Sequence, residues 1–337
     1  MTVARYAPLL MKAQLLERPN DPFRLVDVPR PAPGPGEVLV RIHASGVNPL
    51  DTKIRAGSAA HARHPLPAIL GIDLAGVVEE LGEGVSAFRP GDAVYGMTGG
   101  VGGVPGSLAE LAAVDSRLLA RKPANLSMRQ AAALPLVAIT AWEGLVDRAR
   151  VSSGHRVLVQ GGSGGVGHVA VQLARALGAD VHATASAKDF EEVSRLGATP
   201  IDRTLSVGDQ VKRHASGEGF DVVFDTVGGK VLDASFEAVR RFGHVVSILG
   251  WGTHALAPLS FKGGTYSGVF TLLPLLTGVG REHHGEILSR IAALVEGGKL
   301  SPRLDPRTFR LADAEAAHAA VASGGAAGKV VVTVVER

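Results

Sequence analysis

Two rhythms of apolar and polar positions run along this chain. From about residue 11 to residue 135, short apolar runs are punctuated by glycine. MKAQLLE (11–17), VLVRIHASG (38–46), DLAGVVEELG (73–82) and GDAVYGM (91–97) are examples. Alternating or continuous apolar stretches of that length, bounded by turn formers, predict β-strands. PRPAPGPGE (29–37) runs straight into VLVRIHASG and reads as a tight extended entry turn, not a linker. The spacing turns helical at SMRQAAALPLVAITAWEGLV (127–146). Buried strands and amphipathic helices then alternate: RVLVQ, HVAVQLARALG, DVHATAS, DFEEVSRLG, FDVVFDTVGG, VLDASFEAVRRFG, HVVSILG, YSGVFTLL. Fully apolar strands alternating with helices predict a parallel sheet covered on both faces, a doubly wound α/β domain. After about residue 299, PRLDPRTFRL and GKVVVTVV return to the first texture. The economical organisation is an extension over 1–10, a β-rich domain made of 11–135 and 299–337, and an α/β domain over 136–298 inserted into it.

The totals narrow the function classes. A chain of 337 residues with 46% hydrophobic and 20% charged residues has the composition of a globular protein of two ordinary domains. It contains no cysteine, which rules out disulfides and thiolate metal sites. A cysteine-free chain fits a reducing cytoplasm, and cytoplasmic location is the expectation. The N-terminus lacks the apolar core of a secretory signal, and the greasiest stretch, GVFTLLPLLTGVG (268–280), is broken by Pro274 and three glycines, so no membrane span is expected. A formal charge of +3 suits an anionic small ligand and gives little reason to expect nucleic acid.

Glycine supplies 43 residues, close to twice the usual share of ~7%, and the densest cluster is QGGSGGVG (160–167). Gly162, Gly164 and Gly167 satisfy G-x-G-x-x-G directly after the strand 156–160. Val166, Val169, Ala170, Leu173 and Leu177 then recur at helical spacing. That context turns a weak pattern into a dinucleotide-binding signature. The first glycine permits the turn, the second lets backbone approach a diphosphate, and the third seats the helix against the strand. The bend from Gly162 through Gly165 and Val166 to Gly167 then presents N–H groups and the positive helix end to the anion.

The next strand end decides which dinucleotide fits. An NAD site usually carries Asp or Glu there to hold the ribose 2′-hydroxyl. Here Ala185 and Ser186 occupy the place, followed by Lys188, while Arg203 ends the following strand. A carboxylate about 4 Å from a 2′-phosphate would cost roughly 1–4 kcal/mol. Its replacement by a hydroxyl and an ammonium favours NADPH over NADH. Asp189, one residue beyond Lys188, weighs the other way, and Lys188 and Arg203 also suit a solvated surface.

The ordered blocks PAPGPGEVLVRIHASGVNPLD, LPAILGIDLAGVVEELGEGV, FRPGDAVYG, ITAWEGL, VLVQGGSGGVGHVAVQLARALGA, LGATPID, FDVVFDTVGG and GKVVV resemble the medium-chain dehydrogenase/reductase superfamily, specifically its zinc-free quinone oxidoreductase (zeta-crystallin-like) branch. The resemblance covers nearly all of 11–335. It implies a Rossmann domain inserted in a GroES-like catalytic domain. Where the zinc alcohol dehydrogenases carry a catalytic Cys, this chain has Asn48 nearby and no thiol; where they carry G-H-E-x-x-G, it has GIDLAG with Ile72 and Asp73. His61 and His64, or His283 and His284, lack a third ligand at metal spacing, so no zinc or other metal is expected.

Without a Lewis acid, acceptors that already take electrons well remain, namely quinones and α,β-unsaturated carbonyls. The resemblance puts the N-P-x-D turn beside the nicotinamide, making Asn48, Asp51 and Lys53 the candidate catalytic residues; Asn48 also suits a turn-stabilising role and Lys53 a solvated one. Thr140, Leu249, Gly250 and Phe270 match positions around the nicotinamide half, or else serve as core. The family's Tyr near Thr52 and Lys53 is missing, which leaves the proton source open. An enoyl-thioester reductase and a low-turnover NADPH-binding sensor are the rival readings. A homodimer, through the strand near 265–274, is implied by the resemblance alone.

Overall fold

The computed structural model describes residues 9–335 and divides the chain into two units. One unit takes the chain as far as Leu136, then Leu272–Ala293 and Pro302 onward; the other takes Val137–Thr271 and Leu294–Ser301. The expected extension over 1–10 falls mainly on residues outside those described, and Leu10 already begins the first strand.

In the β-rich unit, β1 (Leu10–Leu16) and β2 (Arg24–Pro29) form an antiparallel hairpin, from Leu10 opposite Pro29 to Leu15 opposite Arg24. β3 (Glu37–Val47) is the long central strand. Helix α1 (Pro49–Arg55) starts immediately after it, with Pro49 at its first position, where the missing N–H costs no hydrogen bond. The short β4 (Ala68–Ile69) pairs with β1, while β5 (Asp73–Leu81) lies antiparallel beside β3. Then β6 (Ala93–Met97), β7 (Leu111–Asp115) and β8 (Leu119–Arg121) continue the larger sheet, β7 pairing with the first half of β3. Its core gathers the inward positions Val38, Val40, Ile42, Leu74, Phe88 and Val94. Helix α2 (Met128–Ala132) is capped by Ser127, whose hydroxyl accepts from the Gln130 N–H while the Gln130 side chain accepts from the Ser127 N–H.

Helix α3 (Pro135–Trp142) leads into the α/β unit and continues as one π-helical stretch over Glu143–Arg148. The elements then alternate as the sequence predicts: β9 (Arg156–Gln160), α4 (Gly167–Ala176), β10 (Asp180–Ala185), α5 (Phe190–Leu196), β11 (Thr199–Asp202), α6 (Val207–His214), β12 (Phe220–Asp225), α7 (Lys230–Ala238), β13 (Val239–Ser247), α8 (Ala257–Ser260) and β14 (Thr265–Gly268). All six strands run parallel in the order β11-β10-β9-β12-β13-β14. The order reverses at β9, so the crevice at its C-terminal end is where a doubly wound sheet binds its ligand. One face is packed by Leu158, Phe220, Val223, Phe236, Val239 and Val245.

Helix α9 (Leu273–Thr277) and most of α10 (Arg281–Glu296) group with the β-rich unit, although the sequence places 136–298 in one domain. The Tyr95 hydroxyl donates to the Leu288 carbonyl at 2.6 Å, and Arg281 meets Asp115 at 3.0 Å. An amphipathic period shows that a helix has a buried face but not which sheet covers it. Finally β15 (Phe309–Arg310), α11 (Ala314–Ala322) and β16 (Val330–Thr333) complete the β-rich unit, with β16 antiparallel to β3 and Val330 opposite Val47. That register sets Lys329 beside the β3–α1 turn.

Candidate active site

The glycine bend begins where β9 delivers Gln160 to the sheet edge. Gly161, at φ 77°, donates its N–H to Thr184 Oγ1 at 3.0 Å, and the Gly162 N–H donates to the Thr184 carbonyl at 2.9 Å. The Thr184 hydroxyl donates in turn to Gln160 Oε1 at 2.8 Å, so β9 and β10 hold the bend from both sides. A Cβ on Gly167 would lie 2.0 Å from the Gly161 carbonyl oxygen, and one on Gly162 would lie 2.5 Å from the Ala183 Cβ. Gly164 differs, its nearest neighbour for such an atom being the same carbonyl at 3.2 Å. Packing alone therefore requires glycine at 162 and 167, whereas Gly164 faces room that a ligand can use. No side chain caps α4, and among the described residues the Gly165 and Val166 N–H groups donate to no protein acceptor. Free donors at a helix start, with the dipole behind them, suit an anionic group.

Beside the bend lies a cleft of about 340 Å³ whose lining includes Gln160, Ser163, Ser186, Asp189, Arg203 and Lys230. The Ser186 hydroxyl donates to Asp189 Oδ2 at 2.6 Å, which turns that carboxylate into the cleft wall and occupies one of its oxygens. Lys188 is exposed and lies outside the lining, while Lys230, at the first position of α7, lies within it. Sequence spacing could not find Lys230, because the β12–α7 turn that carries it is some 40 residues beyond the strand end it joins.

At the other strand ends, buried Asp225 ties β12 to β13. It accepts from the N–H groups of Val227 and Gly228, both at 3.0 Å, and from the Ser247 hydroxyl at 2.6 Å. Ser247 Oγ then accepts from the Leu249 N–H at 3.1 Å, so Asp225 positions the Leu249–Gly250 turn. The Phe270 ring meets Trp251 edge-on at 6.2 Å, and Thr140 is buried on α3.

In the β-rich unit the N-P-x-D turn is built on a buried charged cluster. Asn48 has 0% exposure; its side-chain amide donates to Asp73 Oδ2 at 2.9 Å, and its carbonyl oxygen accepts from the Lys329 ammonium. Lys329 also donates to the Val47 carbonyl at 3.3 Å. The other Asp73 oxygen accepts from the Leu136 N–H at 2.9 Å. Asp51 caps α1 by accepting from the Asn48 N–H at 2.8 Å, while its second oxygen is buried without a hydrogen-bond partner. Burial pushes the Asp51 carboxyl up to about 7, against the lowering effect of the Asn48 N–H, and neighbouring Asp73 adds to the rise. Burial likewise raises Asp73 to about 6, opposed chiefly by Lys329. Lys329 is lowered by its own desolvation.

This arrangement differs from a direct substrate contact through Asn48. Its carbonyl and one amide hydrogen hold the turn together, and Lys53 projects from α1 into solvent. A catalytic zinc does not fit here either, because Asp73 spends both oxygens on protein donors, Ile72 is apolar, and the chain has no thiol. Among the described residues no three His, Asp or Glu side chains converge on a common point.

Residues 34–124 match the alcohol dehydrogenase GroES-like domain and residues 177–332 match the zinc-binding dehydrogenase family. The chain is 33% identical to the quinone oxidoreductase of Sus scrofa, over 90% of this chain and 91% of that protein. The chain belongs to the medium-chain dehydrogenase/reductase superfamily, in its quinone oxidoreductase-like branch. It is 35% identical to an NADPH-dependent alkenal/one oxidoreductase of Arabidopsis thaliana, over 88% of this chain and 72% of the relative. A crystal structure of an alcohol dehydrogenase superfamily protein from Novosphingobium aromaticivorans superimposes with a TM-score of 0.95 at 61% identity, covering 96% of this chain and all of that one. The match to the polyketide synthase protein NorB of Streptomyces orinoci, 37% identical over 89% of this chain, spans only 13% of that protein. Membership of this branch makes the protein an oxidoreductase that uses a nicotinamide cofactor. No helix among the described residues is long and apolar enough to cross a membrane.

Proposed function

We propose that this protein is an NADPH-dependent, zinc-independent reductase of quinones and α,β-unsaturated carbonyls. The observation that carries this reading is the uncapped α4 start behind Gly164, with two cations, Arg203 and Lys230, in the adjoining cleft. The bound cofactor would supply the hydride. The Gly165 and Val166 N–H groups would hold its diphosphate, Arg203 and Lys230 its 2′-phosphate, and the Asp225–Ser247 pair would fix the turn against its nicotinamide half. Neither cation has an ion-pair partner among the described residues, which leaves both available for a phosphate. Asn48, Asp51, Asp73 and Lys329 form the rigid floor that orients α1. A second copy would join along the exposed strand β14, and the cysteine-free chain fits the cytoplasm.

The test is consumption of NADPH at 340 nm with quinones, enones and a saturated ketone. Quinones and enones should be reduced and the ketone spared; binding of NADPH without loss with any acceptor would contradict the reading. The NorB likeness favours a second acceptor class, and a crotonyl thioester turned over faster than the free enone would move the assignment to an enoyl-thioester reductase. For cofactor choice, Arg203→Ala combined with Lys230→Ala should weaken NADPH binding at least tenfold and leave NADH within about twofold, consistent with ~1–4 kcal/mol per charge pair. Equal losses for both cofactors in calorimetric titrations would refute the phosphate role.

A further inference from the structure

Helix α4 is buried continuously from Gly167 to Ala174. Val169, Ala170 and Val171 there are apolar, yet position 168 is a histidine, 2% exposed. Burying an imidazole costs free energy that an apolar side chain of similar size would not. The ring is engaged on the glycine bend. His168 Nδ1–H donates to the Gly164 carbonyl oxygen at 3.1 Å, one turn back, where the His168 backbone N–H also donates at 3.0 Å. A carbonyl oxygen only accepts, so Nδ1 carries the hydrogen. The turn that bears the ring is itself tied down. Buried Gln172 donates its amide to the His168 carbonyl at 2.9 Å and to the Ser301 carbonyl at 3.0 Å, and its own oxygen accepts from the Ser301 N–H at 3.0 Å. The Gly164 carbonyl shares a peptide with the Gly165 N–H. That bond is trans, so the two groups point in opposite directions. Glycine on both sides removes the Cβ contacts that would resist rotation of this peptide. The bond from the His168 ring supplies the restraint, holding the carbonyl toward α4 and the Gly165 N–H away from it.

We infer that His168 is a positioning residue for the cofactor's diphosphate: it locks the Gly164–Gly165 peptide in the orientation that presents the Gly165 N–H to the anion before any ligand arrives. The imidazole acts through the peptide and not by contact. A donor that is already aimed needs no ordering on binding, and the difference appears as affinity. The inference rests on the cofactor reading for the identity of the anion.

Calorimetric titration of the full chain with NADPH, and with adenosine 2′-monophosphate, which lacks the diphosphate, tests it. His168→Leu keeps a branched side chain without the donor and should weaken NADPH binding about fivefold, the loss expected of one hydrogen bond. Its affinity for adenosine 2′-monophosphate should stay at the parent value, which also reports an intact fold. His168→Asn sets an amide nitrogen where Nδ1 stood and should return NADPH to within about twofold of the parent. A histidine that only supports packing would weaken both ligands together and would not be rescued by Asn. Nitrogen–proton correlation spectra of the unliganded, histidine-labelled parent at pH 7 give a second readout. The signal absent from His168→Asn should show a protonated Nδ1. His168→Met serves the same comparison if the Leu variant does not fold. An unprotonated Nδ1, undiminished NADPH binding without the donor, or parallel losses for both ligands overturns the inference. A parent protein that binds no NADPH would remove the cofactor reading itself, whereas failure confined to the variants removes only the role of His168.

Discussion

Replacing Lys329 by Met should destabilise the β-rich unit by about 3–5 kcal/mol, the usual cost of leaving a buried charge without its partner. The methylene stem is conserved in this change, so packing is nearly preserved and the loss is electrostatic. Asp73 would then share a dry site with Asp51, the Asn48 carbonyl would lose its donor, and Asn48 would keep only its amide bond to Asp73 and its N–H bond to Asp51. Chemical denaturation gives the measurement. Adding Asp73→Asn to Lys329→Met should recover part of the loss, because the uncompensated carboxylate disappears. A single variant as stable as the parent would mean that the ammonium does not balance these groups.

The same cluster fixes a pH dependence. Asp51 and Asp73 are raised to about 7 and about 6, against ~3.9 in an unfolded chain. The folded state therefore keeps protons that the unfolded state releases. The stability contributed by these carboxyls is complete below about pH 4 and is lost as pH rises through 6 and 7. Asp51→Asn, neutral throughout, should flatten the fall in denaturation midpoint between pH 5 and 7.5. An unchanged slope would show that Asp51 does not hold a proton in the folded protein.

Gly164→Ala should leave the protein folded yet weaken dinucleotide binding at least a hundredfold. The added methyl needs only a small give from the Gly161 carbonyl 3.2 Å away, but it stands where a diphosphate must touch backbone. Gly167→Ala should behave differently. Its methyl would sit 2.0 Å from the rigid Gly161 carbonyl, so α4 must move off the strand and stability falls along with binding. Thermal melts and fluorescence titrations with NADPH separate the two outcomes. Parent-like affinity in a folded Gly164→Ala protein would place the diphosphate elsewhere.

The alternation of apolar strands and amphipathic helices carried the six parallel strands, because a strand buried on both faces leaves an unbroken apolar run such as RVLVQ or FDVVFD. The glycine bend was legible for a related reason: the Gly161 carbonyl at 167 and the Ala183 Cβ at 162 leave no room for a side chain. What escaped the sequence are pairings between distant segments. Lys329 reaches Asn48 only because β16 folds back on β3, and Lys230 joins the cleft through the turn after β12. Lys188, adjacent in sequence to the selecting strand end, turns to solvent instead. The sequence pattern assigns α10 to the α/β unit, whereas the helix meets Tyr95 and Asp115 of the β-rich unit.

Transfer of deuterium from NADPH carrying two deuteriums at nicotinamide C4 to an enone, with the protein held in excess chelator, tests metal-free hydride delivery most directly. Mass spectrometry of the product should find one deuterium, on the carbon β to the carbonyl, at the same rate with and without chelator. Unlabelled product, or a rate that collapses under chelation and returns with zinc, would contradict it.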